Sequence, residues 1–357
     1  MKPIKLAACL GVAFGLNGVA GATDAPAVPD LGAVLAATPG LSVTGYVASS
    51  YTHFDTSTVG QRQFDLKTNG FTLNQASMTV SYLPSSGAGA SATLLGGEDA
   101  SYLAASAPQF GVATAYAQYA LGALTMMAGR LPTLAGAEVV DPVADNEISR
   151  SLLFYDLEPI YHDGVRASYA VGDALTLTGG VSNGINYSSN GTSDSKLVEF
   201  GASGAPSKQL SYSAVYYYAG TNSYYGGKPG RTGLFDFVGN YTATDALSFG
   251  LNVDLVSKDL GGGTQRADGY ALYANYALSG QLTLSGRGEY LSDNDGLITG
   301  SPNKLKELTV ALNYTPAKHL KLSAELRQDK ADNPLFVNGA ATTTKQNSFE
   351  LMAAYAF

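Results

Sequence analysis

From Leu41 onward the chain alternates apolar and polar residues in short segments. In Leu41-Ser-Val43-Thr-Gly45-Tyr-Val47-Ala-Ser49 the apolar residues take every second position, the period of a strand with two unlike faces. Leu247, Phe249, Leu251, Val253 and Leu255 stand against Ser248, Gly250, Asn252 and Asp254. Leu308, Val310, Leu312 and Tyr314 stand against Glu307, Thr309 and Asn313, and Leu320, Leu322, Ala324 and Leu326 against Lys321, Ser323, Glu325 and Arg327. One face is apolar and the other carries charge.

A soluble sandwich would alternate in the same way, so the connections decide. Short turns fall at 84–87, 121–122, 171–173, 205–207, 243–245, 279–280 and 315–317. Between them lie longer polar connections near 53–63, 98–109, 131–163, 185–195, 220–231, 258–268, 293–303 and 329–345. Seven short turns alternating with eight long loops join 16 strands. This predicts an all-β fold, a transmembrane up-and-down antiparallel barrel over 41–357, with tight turns and both chain ends on the periplasmic side. Segments of about 9–11 residues can cross a bilayer when tilted. The strand count could slip to 14 or 18 where Phe71, Leu73, Met78, Val80 and Tyr82 change phase, which predicts a β-bulge.

Tyrosine recurs where strands enter short turns: Tyr82, Tyr119, Tyr169, Tyr241, Tyr276, Tyr314 and Tyr355. Aromatic residues at one depth predict a girdle at the level of the lipid headgroups. The chain ends Phe349-Glu-Leu351-Met-Ala353-Ala-Tyr355-Ala-Phe357, a closing strand. It must pair with the first strand, because lipid offers no partner to a bare backbone group.

The one segment that does not read as a strand is 131–163. It holds Pro132, Pro142 and Pro159, the acids Glu138, Asp141, Asp145, Glu147, Asp156, Glu158 and Asp163, and Arg150 as its only Lys or Arg. A structureless insert of this length is functional or disordered. Its apolar residues Ile148, Leu152, Leu153, Phe154, Leu157 and Ile160 would be wasted on a free loop. They predict a third long loop folded inward, its acids forming one side of a pore constriction and favouring cations over anions. Charges on strands must face the lumen, since Arg or Lys at the membrane midplane costs about 2–4 kcal/mol. Arg130, Arg166, Arg287, Lys321 and Arg327 are the expected basic side, either as a wall opposite the acids or merely paired across the lumen wall.

The N-terminus reads as a cleaved signal peptide over 1–22: Lys2 and Lys5, the apolar run from Leu6 to Leu16, and the exit Ala20-Gly21-Ala22. Leu6-Ala7-Ala8-Cys9 resembles a lipoprotein box but lies at the start of the apolar core rather than its end. Residues 23–40 are expected to be a periplasmic segment, either mobile or a short helix at the barrel mouth. Cys9 is the only cysteine, so the mature chain forms no internal disulfide. Without Lys2 and Lys5 the 21 basic residues become 19 against 29 acids, a net of −10 that disfavours nucleic acid.

Several stretches resemble the OmpL-like porins of the β-barrel porin-2 family. They are Leu31-Gly-Ala-Val-Leu-Ala-Ala followed by Leu41-Ser-Val-Thr-Gly-Tyr-Val, Phe71-Thr-Leu-Asn-Gln-Ala76, and Gly129-Arg130 with Pro132 and Gly136-Ala-Glu138. Further on come Arg150-Ser-Leu-Leu-Phe154, His162-Asp-Gly-Val-Arg-Ala-Ser-Tyr169 and Val181-Ser-Asn-Gly184. The resemblance implies an outer-membrane barrel that lets solutes pass, and names no substrate. A terminal Phe357 likewise resembles the tail by which the barrel assembly machinery recognises its clients.

The expected partners are therefore outer-membrane lipid, that assembly machinery and small hydrophilic solutes, with a homotrimer by analogy to 16-stranded porins. No cofactor and no metal site is expected. The rival class is a barrel enzyme of lipase or protease type. His53 and His162 are placed on long loops and His319 beside a short turn, and no serine elbow, zinc-type cluster or phosphate loop appears. An adhesin or purely structural barrel is a third class. Tyr216, Tyr217, Tyr218, Tyr224 and Tyr225 leave open a sugar-selective channel.

Overall fold

The computed structural model describes residues 37–103, 109–186 and 195–357, with Gly32 and Leu35. The signal peptide and most of the 23–40 segment lie outside the described residues. Strands β1 (Leu41–Phe54), β2 (Gly70–Tyr82), β3 (Gly87–Gly96) and β4 (Phe110–Leu121) are followed by β5 (Leu124–Pro132), β6 (Tyr161–Gly172), β7 (Leu175–Ser182) and β8 (Leu197–Gly204). Next come β9 (Leu210–Asn222), β10 (Gly230–Thr242), β11 (Leu247–Asp259) and β12 (Thr264–Ala277). Then follow β13 (Leu282–Asp293), β14 (Asn303–Ala317) and β15 (Leu320–Ala331), a small hairpin of β16 (Phe336–Asn338) and β17 (Ala341–Thr343), and β18 (Lys345–Ala356).

Sixteen of these strands form one closed antiparallel barrel, each beside its sequence neighbour, with β15 next to β18 and β18 next to β1. The β16–β17 hairpin stands apart in the last long connection. Closure runs from Tyr46 opposite Ala356 to Phe54 opposite Ser348. Phe357 extends the ladder, its N–H donating to the Gly45 carbonyl at 2.8 Å and the Gly45 N–H returning to Phe357 O at 3.0 Å. A side chain at Gly45 would start 2.4 Å from the Ser77 carbonyl oxygen and 2.5 Å from the Phe357 ring, so the seam needs glycine there.

Alternation translates directly into two faces. On β14 the buried set Leu305, Glu307, Thr309, Ala311 and Asn313 interleaves with exposed Leu308, Val310, Leu312 and Tyr314. The exposed face of the barrel is therefore apolar and the inward face polar, the reverse of a soluble barrel. All seven turn-entry tyrosines are outward, 39–54% exposed. The phase change in β2 is a bulge: Ala48 pairs with Gln75 but Ser49 with Leu73, leaving Asn74 without a partner in the ladder. That puts Asn74 and Gln75 both on the buried face and keeps Phe71, Leu73 and Tyr82 outward.

Two expectations about connections need correction. The sixth long loop shrinks to residues 260–263, because β11 and β12 keep pairing through Ser257 with Arg266, Lys258 with Gln265 and Asp259 with Thr264. Polar composition marked that stretch as a loop, whereas strands that rise above the membrane can be polar on both faces. His53 and His162 lie on β1 and β6 rather than in loops. Strand β6 also claims Tyr161 to Asp163 and β5 claims Leu131 and Pro132, so the long acidic insert is residues 133–160.

Candidate functional site around residues 133 to 160

The insert leaves β5 and returns to β6 through a neck in which Thr133 N–H donates to the Ile160 carbonyl at 3.2 Å. Beyond the neck its backbone is bound by inward side chains from distant strands. Tyr217 Oη on β9 accepts from Leu134 N–H at 2.8 Å, and Asp236 Oδ2 on β10 from Gly136 N–H at 3.0 Å. Asn252 Oδ1 on β11 accepts from Ala137 N–H at 2.6 Å. Glu325 on β15 accepts from Ile148 and Ser149 N–H at 2.5 and 3.2 Å. Lys321 on the same strand donates to the carbonyls of Pro142, at 3.2 Å, and Asp145.

A short helix, α1 (Leu152–Asp156), sits in the middle of the insert, which the sequence predicts to be structureless. Ser151 caps it, its Oγ accepting from Phe154 N–H at 3.0 Å. The first two free N–H groups, those of Leu152 and Leu153, donate to the Glu289 carboxylate on β13 at 2.9 and 3.3 Å. Leu152, Leu153 and Leu157 are buried in a cluster with Ala267, Ala271, Tyr273 and Leu291 from β12 and β13. Gly269 on β12 makes room, since a Cβ there would lie 2.8 Å from Leu157 Cδ1 and 2.9 Å from Leu153 Cδ1.

Arg150 ties the insert to itself. Its guanidinium donates to the carbonyls of Val139, Ile148 and Val140 at 2.7, 3.0 and 3.1 Å, pairs with Asp145 at 3.0 Å, and lies over the Phe64 and Phe154 rings. Phe64 comes from the 55–69 connection, which is itself anchored by fully buried Arg62, paired with Asp65, Asp329 and Glu350. Neither Arg62 nor Phe64 carries a sequence signal that would have singled it out.

Glu138 accepts from Arg287 Nη1 at 2.5 Å and from Ser151 N–H at 2.7 Å. Arg287 also donates to Ser149 O at 2.8 Å and pairs with Glu289 and Glu307, while Arg327 pairs with Glu307 and Asp329 and donates to Arg150 O. Arg130 and Arg166 bind neighbours within the wall, Asp163 at 2.9 Å and Glu199 at 2.6 Å. Asp156 accepts from Gln61 at 3.1 Å. Burial pushes the Glu147 carboxyl up to about 8 and lifts Asp141, Asp145, Asp156 and Glu158 above the usual carboxylate range.

On the opposite side of the insert a cavity of about 340 Å³ separates it from β1 to β4. Its wall there is uncharged, carrying Tyr46, Ser77, Thr79, Thr93 and Thr114, and the insert contributes Glu138 and Asp141. Tyr224 and Tyr225 are committed elsewhere: Tyr225 Oη donates to Leu157 O at 2.5 Å and Tyr224 Oη to Glu158 O at 3.4 Å. His162 is buried, with Nδ1 3.2 Å from Gly184 O, and His53 Nδ1 lies 2.5 Å from Asn69 Oδ1.

A closed 16-strand antiparallel barrel with an apolar exterior and a charged interior defines a transmembrane outer-membrane protein. The chain belongs to the family described as putative beta-barrel porin-2, OmpL-like, whose sequence model matches residues 40–357. No curated protein sequence matches it. Among solved structures it is similar to an anion-selective porin from Comamonas acidovorans, with 13% identity over 89% of this chain and 99% of that one and a TM-score of 0.63. The outer-membrane channel DcaP of Acinetobacter baumannii shares 14% identity over 89% and 97%, with a TM-score of 0.62. The trimer form of OmpT from Vibrio cholerae shares 14% over 89% and 99%, with a TM-score of 0.62. These likenesses carry the fold.

Proposed function

We propose that this chain is a porin for passive diffusion of small hydrophilic solutes and ions, with residues 133–160 folded into the lumen as its constriction. The observation that carries the reading is the set of wall partners on β9, β10, β11, β13 and β15, strands that stand three to seven places round the barrel from β5 or β6. The passage runs on the far side of the insert, past Glu138, Asp141 and the hydroxyl-rich wall of β1 to β4. Arg287, Lys321 and Arg327 hold the insert in place, and Arg130 and Arg166 stiffen the wall beside its neck. Cation preference is modest, because Arg287 neutralises Glu138 and burial favours protonation of Glu147.

The exposed tyrosines from Tyr82 to Tyr355 form the periplasmic girdle, and Phe357 marks the strand for the assembly machinery after removal of residues 1–22. The chain is not an enzyme in this reading: Tyr217, Tyr224 and Tyr225 spend their hydroxyls on the insert's backbone and on Asn186, and His162 Nδ1 faces the Gly184 carbonyl. A homotrimer follows the trimeric form known for OmpT. Conductance in planar bilayers tests the proposal. Stepwise currents with a small cation-selective reversal potential are expected, and electrically silent membranes or clear anion preference would overturn it.

A further inference from the structure

Three carboxylates far apart in sequence meet at the end of the insert. Glu158 comes from the insert, Asp236 from β10 and Asp254 from β11, and one oxygen of each lies within 4.8 Å of the others. All three residues are buried, Asp254 completely. From outside the cluster, neither oxygen of Asp254 accepts a hydrogen bond from the described residues, nor does Asp236 Oδ1. The neighbouring acids are treated differently. Glu289 and Glu325 each take two backbone N–H groups, and Glu138 and Glu199 each face a guanidinium. Among the described residues no ion pair reaches Glu158, Asp236 or Asp254. Three carboxylates brought together away from water repel strongly and lose their hydration, so the cluster would oppose the fold unless protons or a cation neutralise it.

We propose that Glu158, Asp236 and Asp254 bind one calcium-sized divalent cation, which clamps the returning arm of the 133–160 insert to β10 and β11. The donors are all hard carboxylate oxygens, which suit Ca²⁺ or Mg²⁺ and not the thiolate- or imidazole-seeking metals. Oxygens on opposite sides of one Ca²⁺ stand up to about 5 Å apart, which matches the span of the three groups. Mg²⁺ demands a tighter octahedron and keeps its waters, so the flexible three-segment set favours Ca²⁺. The outer shell is present as well. Gly136 N–H and Asn252 Nδ2 both donate to Asp236 Oδ2, at 3.0 and 2.9 Å, which aims Oδ1 towards the cluster. Gly136 has φ +93°, and a Cβ there would stand 2.1 Å from Glu158 Oε2, so only glycine leaves the Glu158 carboxylate its place.

The test uses the full barrel folded in detergent and stripped with EDTA. Tb³⁺, a luminescent substitute for Ca²⁺ that nearby tyrosines sensitise, is titrated in, and melting is followed with and without CaCl₂. We expect one Tb³⁺ per chain, displaced by Ca²⁺ more readily than by Mg²⁺, and a higher melting temperature in CaCl₂. Asp254→Asn should weaken Tb³⁺ binding by more than about 10- to 100-fold, the loss that changes to outer-shell partners alone cause, and abolish the calcium shift. Asp99→Asn, in the 97–109 connection, should leave both unchanged. Should Asp254→Asn fail to fold, Asp236→Asn serves in its place. A wild-type barrel that binds no Tb³⁺, or a variant that binds it as tightly as wild type, would overturn the proposal. The readout needs no conductance, so a silent channel would leave it standing.

Discussion

Arg287 Nη1 donates to Glu138 Oε1 at 2.5 Å, joining β13 to the stretch that has just left β5. The same guanidinium meets Glu289 and Glu307, so one side chain balances three buried acids. Removing it would leave Glu138 and Glu289 without an ion pair and Glu307 with Arg327 alone, and breaking a buried pair from one side costs about 3–5 kcal/mol. Arg287→Met should therefore lower the melting temperature strongly and make single-channel currents larger and noisier as the insert loosens. Adding Glu138→Leu should recover part of the stability. Equal stability of wild type and Arg287→Met in detergent melts would show that the pair does not hold the insert.

Asp141 is the acid that lines the cavity between the insert and β1 to β4 without an ion pair among the described residues. Asp141→Asn should shift the reversal potential in a salt gradient towards zero. The difference from wild type should shrink as salt rises, because the screening length falls from about 8 Å at 0.15 M to about 3 Å at 1 M. An unchanged reversal potential at low salt would assign the selectivity to other groups.

Glu147 supplies a pH dependence with a defined sign. Burial lifts its folded-state value to about 8, above that of the unfolded chain, so the folded protein holds the proton more tightly. This contribution to stability is complete below about pH 4.5 and is lost as pH rises towards 8. Melting temperatures should fall across that window, and Glu147→Gln should flatten part of the fall. Ionisation above pH 8 adds a negative charge to the insert, so cation preference should rise between pH 7 and 9 in wild type more than in Glu147→Gln.

Gly45 allows the seam to close. Gly45→Val would press a branched side chain onto the Ser77 carbonyl and the Phe357 ring, and no rotamer change relieves a backbone clash. The expected result is loss of the heat-modifiable folded band on gels after refolding. Phe357→Ala, which removes the ring but keeps the ladder, should fold at a reduced yield.

Gly269 plays the matching role for the insert. Gly269→Val would push against Leu153 and Leu157 and should destabilise by about 1–3 kcal/mol. Because the displaced element is α1 and not a strand, the barrel should still fold while conductance changes. An unaltered single-channel current would show that α1 does not shape the passage.

The barrel could be read from the chain because a strand's two faces are a local property. Leu308 and Glu307 declare opposite faces one residue apart, and the bulge at Asn74 shows itself as a phase change within a single strand. The order of strands then follows from turns too short to permit any other neighbour. What local pattern does not contain is the partner of a side chain across the barrel. Nothing near Arg287 points to Glu138, 149 residues earlier, and nothing about Glu289 marks it as the acceptor for the first N–H groups of a helix formed by Leu152–Asp156. Polar composition overstated the 258–268 loop, since hydrogen bonds between strands do not depend on hydropathy. The chain alone thus determined a 16-strand membrane barrel with a long acidic insert. Only the tertiary structure decided that Arg287 and Arg327 bind that insert directly, and that Glu158, Asp236 and Asp254 converge. Those contacts depend on barrel curvature and strand register, which bring together residues that no period along the sequence connects.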